Sequence, residues 1–514
     1  MLWSFIRNIT RAAASPSDHA ASDDRPARGM ESFNSGDFAA ASRLLSESHA
    51  ADPGDADVLY YFALAEARGG RLEQAEALFE MLRPQRDDAD VNNALANVRR
   101  LRGRLDDAVA GYRHALEIDS RHLAALANLG LALRDQGLPQ QALPVLDRAL
   151  ALAPDHVEAL FNKALALVDL DAGRSAEELI EQVLQLDPDF AQAHLQRGFM
   201  LLKRRDFAAG WREYAWRVRI PDLDHWQDYA YPLWQGEALT EKRVLVQAEQ
   251  GLGDQIMFAS CLPDLLARAR HTVFECDPRL AKLFARSFAH AVVYRHRVQG
   301  VPDWSSEPAP DYRVRLGDLP RVLRNQDDDF PRHDGYLVAD PVQAADWSTR
   351  LAALGPGLKI GISWRGGTPG TGQAARSLPL EALVPILSLP RAHFISLQYG
   401  AVSAEVAELR ARHGVALHAW SQSHADMDGV AALISSLDLV ITVCTTVAHL
   451  AGGLGKSAWV MVPAVAEWRY LETGVRMPWY PALRLFRQPR LNEWASVIST
   501  IRTELISELN PRIQ

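Results

Sequence analysis

Two short stretches hold residues that could handle an anion and a proton. The first runs Leu439-Val440-Ile441-Thr442-Val443-Cys444-Thr445-Thr446-Val447-Ala448-His449 and ends in the small residues Ala451-Gly452-Gly453. Its β-branched start reads as a buried strand of a parallel sheet, feeding straight into a helix. The first-turn N–H groups of such a helix are unpaired and its dipole favours negative charge, so the joint suits an anion. Thr445 and Thr446 add hydroxyls at that mouth, and His449 lies one turn further in. The same residues also read as an ordinary strand–helix joint capped by threonine. The second stretch, Gly251-Leu252-Gly253-Asp254-Gln255, lies about 190 residues earlier. Its glycines let a backbone approach a ligand closely. Asp254, at the start of a helix, reads either as an N-terminal cap or as a general base for a hydroxyl.

A departing diphosphate needs cations or N–H donors. Arg365, Arg376 and Lys456 are the candidates, and Arg365 directly follows a predicted strand. The glycine turn is not a full G-x-G-x-x-G, and Glu275 is the nearest match to the acidic residue of a dinucleotide site. A Tyr-x-x-x-Lys pair is lacking as well, which disfavours a nucleotide-sugar epimerase or dehydrogenase.

Alternating strands and helices must position these groups. Strands are predicted at Arg243–Ala248, Thr272–Cys276, Ala291–Tyr294, Lys359–Trp364, His393–Leu397 and Ala458–Pro463. Helices are predicted at Gln255–Arg270, near Arg279–Phe288 and at Val430–Leu437, with loops over 297–312 and at Arg365–Gly372. This spacing implies βαβ units. Two Rossmann-like domains, 243–345 and 356–510, follow from a split near 340–356, with ligands at the carboxyl ends of the strands.

Before them lies a repeat. Glycines recur at Gly36, Gly70, Gly103 and Gly137, and alanines at Ala41, Ala75, Ala108, Ala142, Ala176 and Ala209. Small residues stand at Ala96, Gly130, Ala164 and Gly198, and Asp/Pro pairs at the repeat ends, Asp52-Pro53 and Asp187-Pro188 among them. A period near 34 with small residues where paired helices meet resembles the tetratricopeptide repeat over residues 29–220, a superhelix with a concave groove for a protein or peptide. The aromatic run Trp211-Arg212-Glu213-Tyr214-Ala215-Trp216-Arg217 reads as a capping helix burying rings against the next domain. Residues 1–28 read as a flexible lead-in and 221–242 as a connector. The fold class is therefore α + α/β.

With 514 residues, 48% hydrophobic and 23% charged, the composition is that of a soluble, multidomain globular protein. A net charge of -9 disfavours a general nucleic-acid binder. Cys261, Cys276 and Cys444 are few, scattered and odd in number, which fits a reducing cytoplasm better than a disulfide framework. No run approaches the ~20 residues of a membrane span, and no signal peptide is expected at the N-terminus.

The motifs Gly251-Leu252-Gly253-Asp254-Gln255-Ile256, Gly361-Ile362-Ser363-Trp364-Arg365-Gly366 and Val443-Cys444-Thr445-Thr446-Val447-Ala448-His449-Leu450-Ala451-Gly452 occur in that order. Glu467-Trp468-Arg469-Tyr470 and Trp479-Tyr480-Pro481 follow. Together they resemble bacterial tetratricopeptide-repeat glycosyltransferases related to the heptosyltransferases, over about residues 30–500. The resemblance implies a GT-B architecture with no metal and no cofactor, a nucleotide-sugar donor and a protein or glycan acceptor. It implies Asp254 as base or acceptor holder, with Gly251, Gly253 and Gln255 in the acceptor loop. It puts Thr445, Thr446 and His449 at the donor diphosphate, where Arg365 is the expected cation, and the repeat groove would dock the acceptor or a protein partner. One departure stands out: Cys444 occupies a position where the family usually has aspartate. A non-catalytic repeat scaffold on a degenerate transferase fold is the rival expectation.

Overall fold

The computed structural model describes residues 24–220, 229–296, 303–367, 373, 375–420 and 426–509. Two compact units emerge: residues 1–193 with 220–222, and residues 194–219 with 223–514.

Among the described residues the N-terminal region is built from twelve helices: α1 (Arg25–Asn34), α2 (Phe38–Ala51), α3 (Ala56–Arg68), α4 (Leu72–Leu82), α5 (Ala89–Leu101), α6 (Leu105–Ile118), α7 (Leu123–Asp135), α8 (Pro139–Leu152), α9 (Val157–Asp169), α10 (Gly173–Leu186), α11 (Ala191–Lys203) and α12 (Phe207–Tyr214). Nearly all of α11, and the whole of α12, cluster with the second unit. Gly70, Gly103 and Gly137 end α3, α5 and α7 at φ +78°, the left-handed region that glycine enters at least cost. The turn recurs without glycine at Asp171 (φ 59°) and Arg205 (φ 69°), each 34 residues further on. The small residues have a packing cause. A Cβ on Gly130 of α7 would meet the Leu146 side chain of α8, and one on Gly198 of α11 would lie 2.9 Å from the Tyr214 nitrogen of α12. Pro53 and Pro154 lie in turns, ahead of the N-caps Asp55 and His156 that open the next helices.

The second unit holds two all-parallel sheets. The first has strands β1 (Arg243–Gln247), β2 (His271–Cys276), β3 (Ala291–Arg295) and β4 (Tyr312–Arg315) in the order β3-β2-β1-β4. The second has β5 (Leu358–Ser363), β6 (Ala392–Ser396), β7 (Leu417–His418), β8 (Leu439–Val443), β9 (Ala458–Val462) and β10 (Leu483–Arg487) in the order β10-β9-β8-β5-β6-β7. Strand order reverses between β1 and β4 in one sheet and between β5 and β8 in the other. Those reversals are the positions where crevices open at the carboxyl edge.

The helix expected over Gln255–Arg270 is two pieces, α13 (Leu252–Ala259) and α14 (Leu262–Leu266). Pro263 has no N–H to return to the Ala259 carbonyl, so the ladder breaks there. The loop expected over 297–312 reaches β4 at its last residue, and its first part, 297–302, lies outside the described residues. Residues 368–372 of the glycine-rich loop lie outside them too. In the interval read as the divide lies the helix α15 (Pro341–Ala352). It packs on the second sheet's helices, where the Ser436 hydroxyl donates to the Ala344 carbonyl (3.0 Å) and Trp347 meets Trp420. Among the described residues no helix is long and apolar enough to cross a membrane.

Candidate functional site

The chain leaves β1 through Gln250, enters α13 at Gly251, and places Asp254 in that helix's first turn. In the other sheet, β8 leads through Cys444 to Thr445, the N-cap of α16 (Thr446–Gly453). The Thr445 hydroxyl accepts from the Val447 N–H at 3.1 Å, Thr446 is the first helical residue, and His449 follows within the next turn. Gly366, just after β5, lies so close to this joint that a Cβ would be 2.6 Å from Thr445 Cγ2 and 2.8 Å from the Cys444 carbonyl oxygen. Both stretches thus lie at the strand-order reversals of their sheets.

The two stretches meet. Helices α13 and α16 pack together, and a Cβ on Gly253 would come within 2.9 Å of His449 Cδ2. Asp254 Oδ1 accepts from Arg469 Nη2. Arg469 also donates to Glu467 (3.3 Å) and lies over the Trp468 ring, while Glu467 accepts from Arg376 at 2.5 Å. The result is a chain of alternating charge, Asp254–Arg469–Glu467–Arg376, running from one sheet's reversal to the other's.

Burial sets the protonation states. It pushes the His449 imidazole down to about 3, with Arg469 and Arg376 adding to the effect and Asp254 opposing it. His449 is therefore neutral at pH 7, its Nδ1 3.0 Å from the Tyr480 hydroxyl. Burial would lower Arg469, but Asp254 and then Glu467 outweigh it and hold the guanidinium above its ordinary value. Burial drives the Cys444 thiol up, so it stays protonated, 3.7 Å from the Met461 carbonyl. A protonated, buried thiol is a poor nucleophile.

The sequence candidates divide. Asp254, Gly253 and His449 come together, and Thr445 and Thr446 open the helix that carries His449. Gly251 has an ordinary φ of −75°, and a Cβ there would only touch Asp254 at 3.7 Å, so close approach is the task of Gly253 alone. Gln255 turns away, its amide donating to the Gln250 carbonyl (3.2 Å) and its carbonyl accepting from the Asp277 N–H (3.0 Å). Arg365 is paired with Glu405 at 2.5 Å over Trp364, and the cations whose fields reach His449 are Arg469 and, more weakly, Arg376. Lys456 follows the far end of α16 and donates to the Leu437 carbonyl at 2.6 Å, so it serves the fold. Glu275 is buried between Tyr229 and His296, a placement that takes this carboxylate away from a ribose. Arg469, Glu467 and Tyr480 were visible only as parts of aromatic motifs. Nothing in the spacing around Arg469 announces a partner 215 residues away.

Comparison with known proteins bears on the helical region. Family models described as "Tetratricopeptide repeat" match residues 33–98 and 133–197, and 87–155. The N-terminal region therefore carries tetratricopeptide repeats. "Protein FlbA" of Caulobacter vibrioides is 32% identical over 326 residues, taking in 60% of this chain and 54% of that protein. The chain thus spans about half the length of this curated relative. Because 60% of 514 residues exceeds the 220 at which the array ends, the match runs on into the α/β region. Among solved structures, MamA aligns at 18% identity and TM-score 0.28, covering 32% of this chain and 96% of its own. YrrB, described as a TPR protein with an unusual peptide-binding site, aligns at 17% and 0.28, covering 33% and 88%. TTC0263, a thermophilic TPR protein of Thermus thermophilus, aligns at 19% and 0.31, covering 34% and 95%.

Proposed function

We propose that the chain is a glycosyltransferase of the GT-B kind, moving a sugar from a nucleotide-sugar donor to a protein or glycan acceptor. Its repeats would dock the acceptor or a protein partner, in the cytoplasm. The observation that carries this reading is the meeting of two strand-order reversals. The Asp254 turn of one parallel sheet faces the His449 helix of the other, with Arg376 and Arg469 alongside. In this reading the N-terminus of α16, with Thr445 and Thr446, holds the donor diphosphate, and Arg376 takes the part first expected of Arg365. Two arginines and a helix N-terminus supply the positive charge that a departing diphosphate requires. Asp254 takes the acceptor's proton once Arg469 shifts toward the phosphates, and neutral His449 offers a hydrogen bond without adding charge.

A second reading has its own support. Asp254 is already paired with a partly buried arginine, and uncharged Cys444 stands in place of the aspartate usual in the resembling family. A repeat scaffold that binds proteins without transferring sugar would look like this too. A thermal-shift screen with UDP-, GDP-, ADP- and dTDP-sugars, on wild type and His449→Ala, separates the two. Stabilisation of the wild type only, by one donor, supports the transferase. No shift with any of the four supports the scaffold.

A further inference from the structure

The last helix of the array touches the site from both sides. On α12, Tyr214 is buried and its hydroxyl lies 2.9 Å from Gln250 Oε1 and 2.6 Å from Gln250 Nε2. Gln250 sits at φ +67°, a left-handed conformation that side-chain-bearing residues adopt rarely and hold only when their surroundings fix them. Among the described residues, two neighbours hold it here. Gln255 grips its backbone carbonyl from within the same domain, and Tyr214 grips its side chain from the array's end. The next residue, Gly251, is the N-cap of α13, so the path through Gln250 aims the first turn of that helix and with it Asp254. On its other side the Tyr214 ring packs against Trp468 (5.8 Å between centroids), the neighbour of Arg469, and Trp211 meets the same Trp468 ring edge-on at 5.5 Å. One side chain therefore contacts both Gln250, four residues ahead of Asp254, and Trp468, next to Arg469.

We propose that Tyr214 is a positioning residue: its hydroxyl holds the Gln250 turn, and through it Asp254, in register with Arg469. The terminal helix of the repeat array is thus part of the site's framework. The consequence for sugar transfer rests on the reading above; the consequence for the turn does not.

Hydrogen-exchange mass spectrometry of the full chain tests this with Tyr214→Phe, which removes the hydroxyl and keeps the ring. Tyr112→Phe is the control, because Tyr112 is also buried and donates to Asn97 at 2.7 Å within the array. The expected result is amide exchange at least about fivefold faster in peptides spanning 250–259 for Tyr214→Phe, and unchanged there for Tyr112→Phe. Gln250→Ala approaches the same bond from the other partner and should give the same signature, with the double variant no worse than either single one. Unchanged exchange over 250–259 in both Tyr214→Phe and Gln250→Ala would overturn the proposal. Where a donor is found, Tyr214→Phe should lower the transfer rate about tenfold with donor affinity within twofold. Faster exchange in a chain that transfers no sugar would retain the positioning role and dismiss the transferase.

Discussion

Polar ties in the helical array join neighbours one repeat apart. Arg100 donates to Asp135 at 3.1 Å, Arg134 to Asp169 at 2.6 Å, and Asn128 to Asn93 at 3.0 Å, each pair 35 residues apart. In the α/β region the ties that make and flank the site span 215 residues (Arg469 to Asp254) and 142 (Arg286 to Asp428). The first kind of region is quasi-one-dimensional, its stability close to a sum of repeat and nearest-neighbour terms. The second holds its charges only when both sheets are in place. A lost tie should therefore act locally in the array and globally in the α/β unit.

The strongest break in that comparison is Arg217→Ala. Arg217 is 1% exposed and serves both Glu249, itself buried, and Asp318 at 2.7 Å. Removing one member of a buried charge cluster costs about 3–5 kcal/mol. Urea unfolding should show that loss in the α/β transition, with array helicity persisting in the far-ultraviolet signal. A similar magnitude should appear on acidification. His449 has a folded pKa of about 3 against about 6.5 unfolded, so the unfolded chain binds its proton more readily. Its contribution is full above about pH 6.5 and is lost as the pH falls toward about 3, the loss reaching about 3 kcal/mol near pH 4. Stability measured against pH should be correspondingly flatter for His449→Gln.

Two nearby glycines sharpen the same point at closer range. Gly253→Ala drives a methyl into His449 and should cost about 1–3 kcal/mol, whereas Gly251→Ala, earlier in the same turn, should stay within about 0.5 kcal/mol. Thermal melts of the two variants decide it; equal shifts would contradict the close approach. The smallest effect lies in the array. Asp171→Gly relieves a left-handed backbone and should raise stability by up to about 1 kcal/mol, readable as a higher urea midpoint.

The same contrast explains what could be read in advance. Gly70, Gly103 and Gly137 announce their turns because a left-handed residue every 34 positions or so selects glycine, and the array was legible from them. Its later turns at Asp171 and Arg205 carry no such mark, since those side chains tolerate the conformation at a cost. The buried strands β1, β5, β8 and β9 were legible as apolar runs. Strand β4 was hidden because Arg313 and Arg315 are buried in it, Arg313 donating to the Tyr231 carbonyl at 3.0 Å. At the site, Asp254, Thr445 and His449 were legible from their place at strand–helix joints. The pairing of Asp254 with Arg469, and of Arg365 with Glu405 instead of a ligand, depends on tertiary packing that no local pattern records.

Calorimetric titration of UDP, GDP, ADP and dTDP into wild type and Arg376→Gln tests the central claim most directly. The account predicts that one of the four diphosphates binds the wild type and binds Arg376→Gln at least about tenfold more weakly, a loss of about 1.4 kcal/mol. Failure of all four to bind the wild type, or equal affinity in the two proteins, would contradict it.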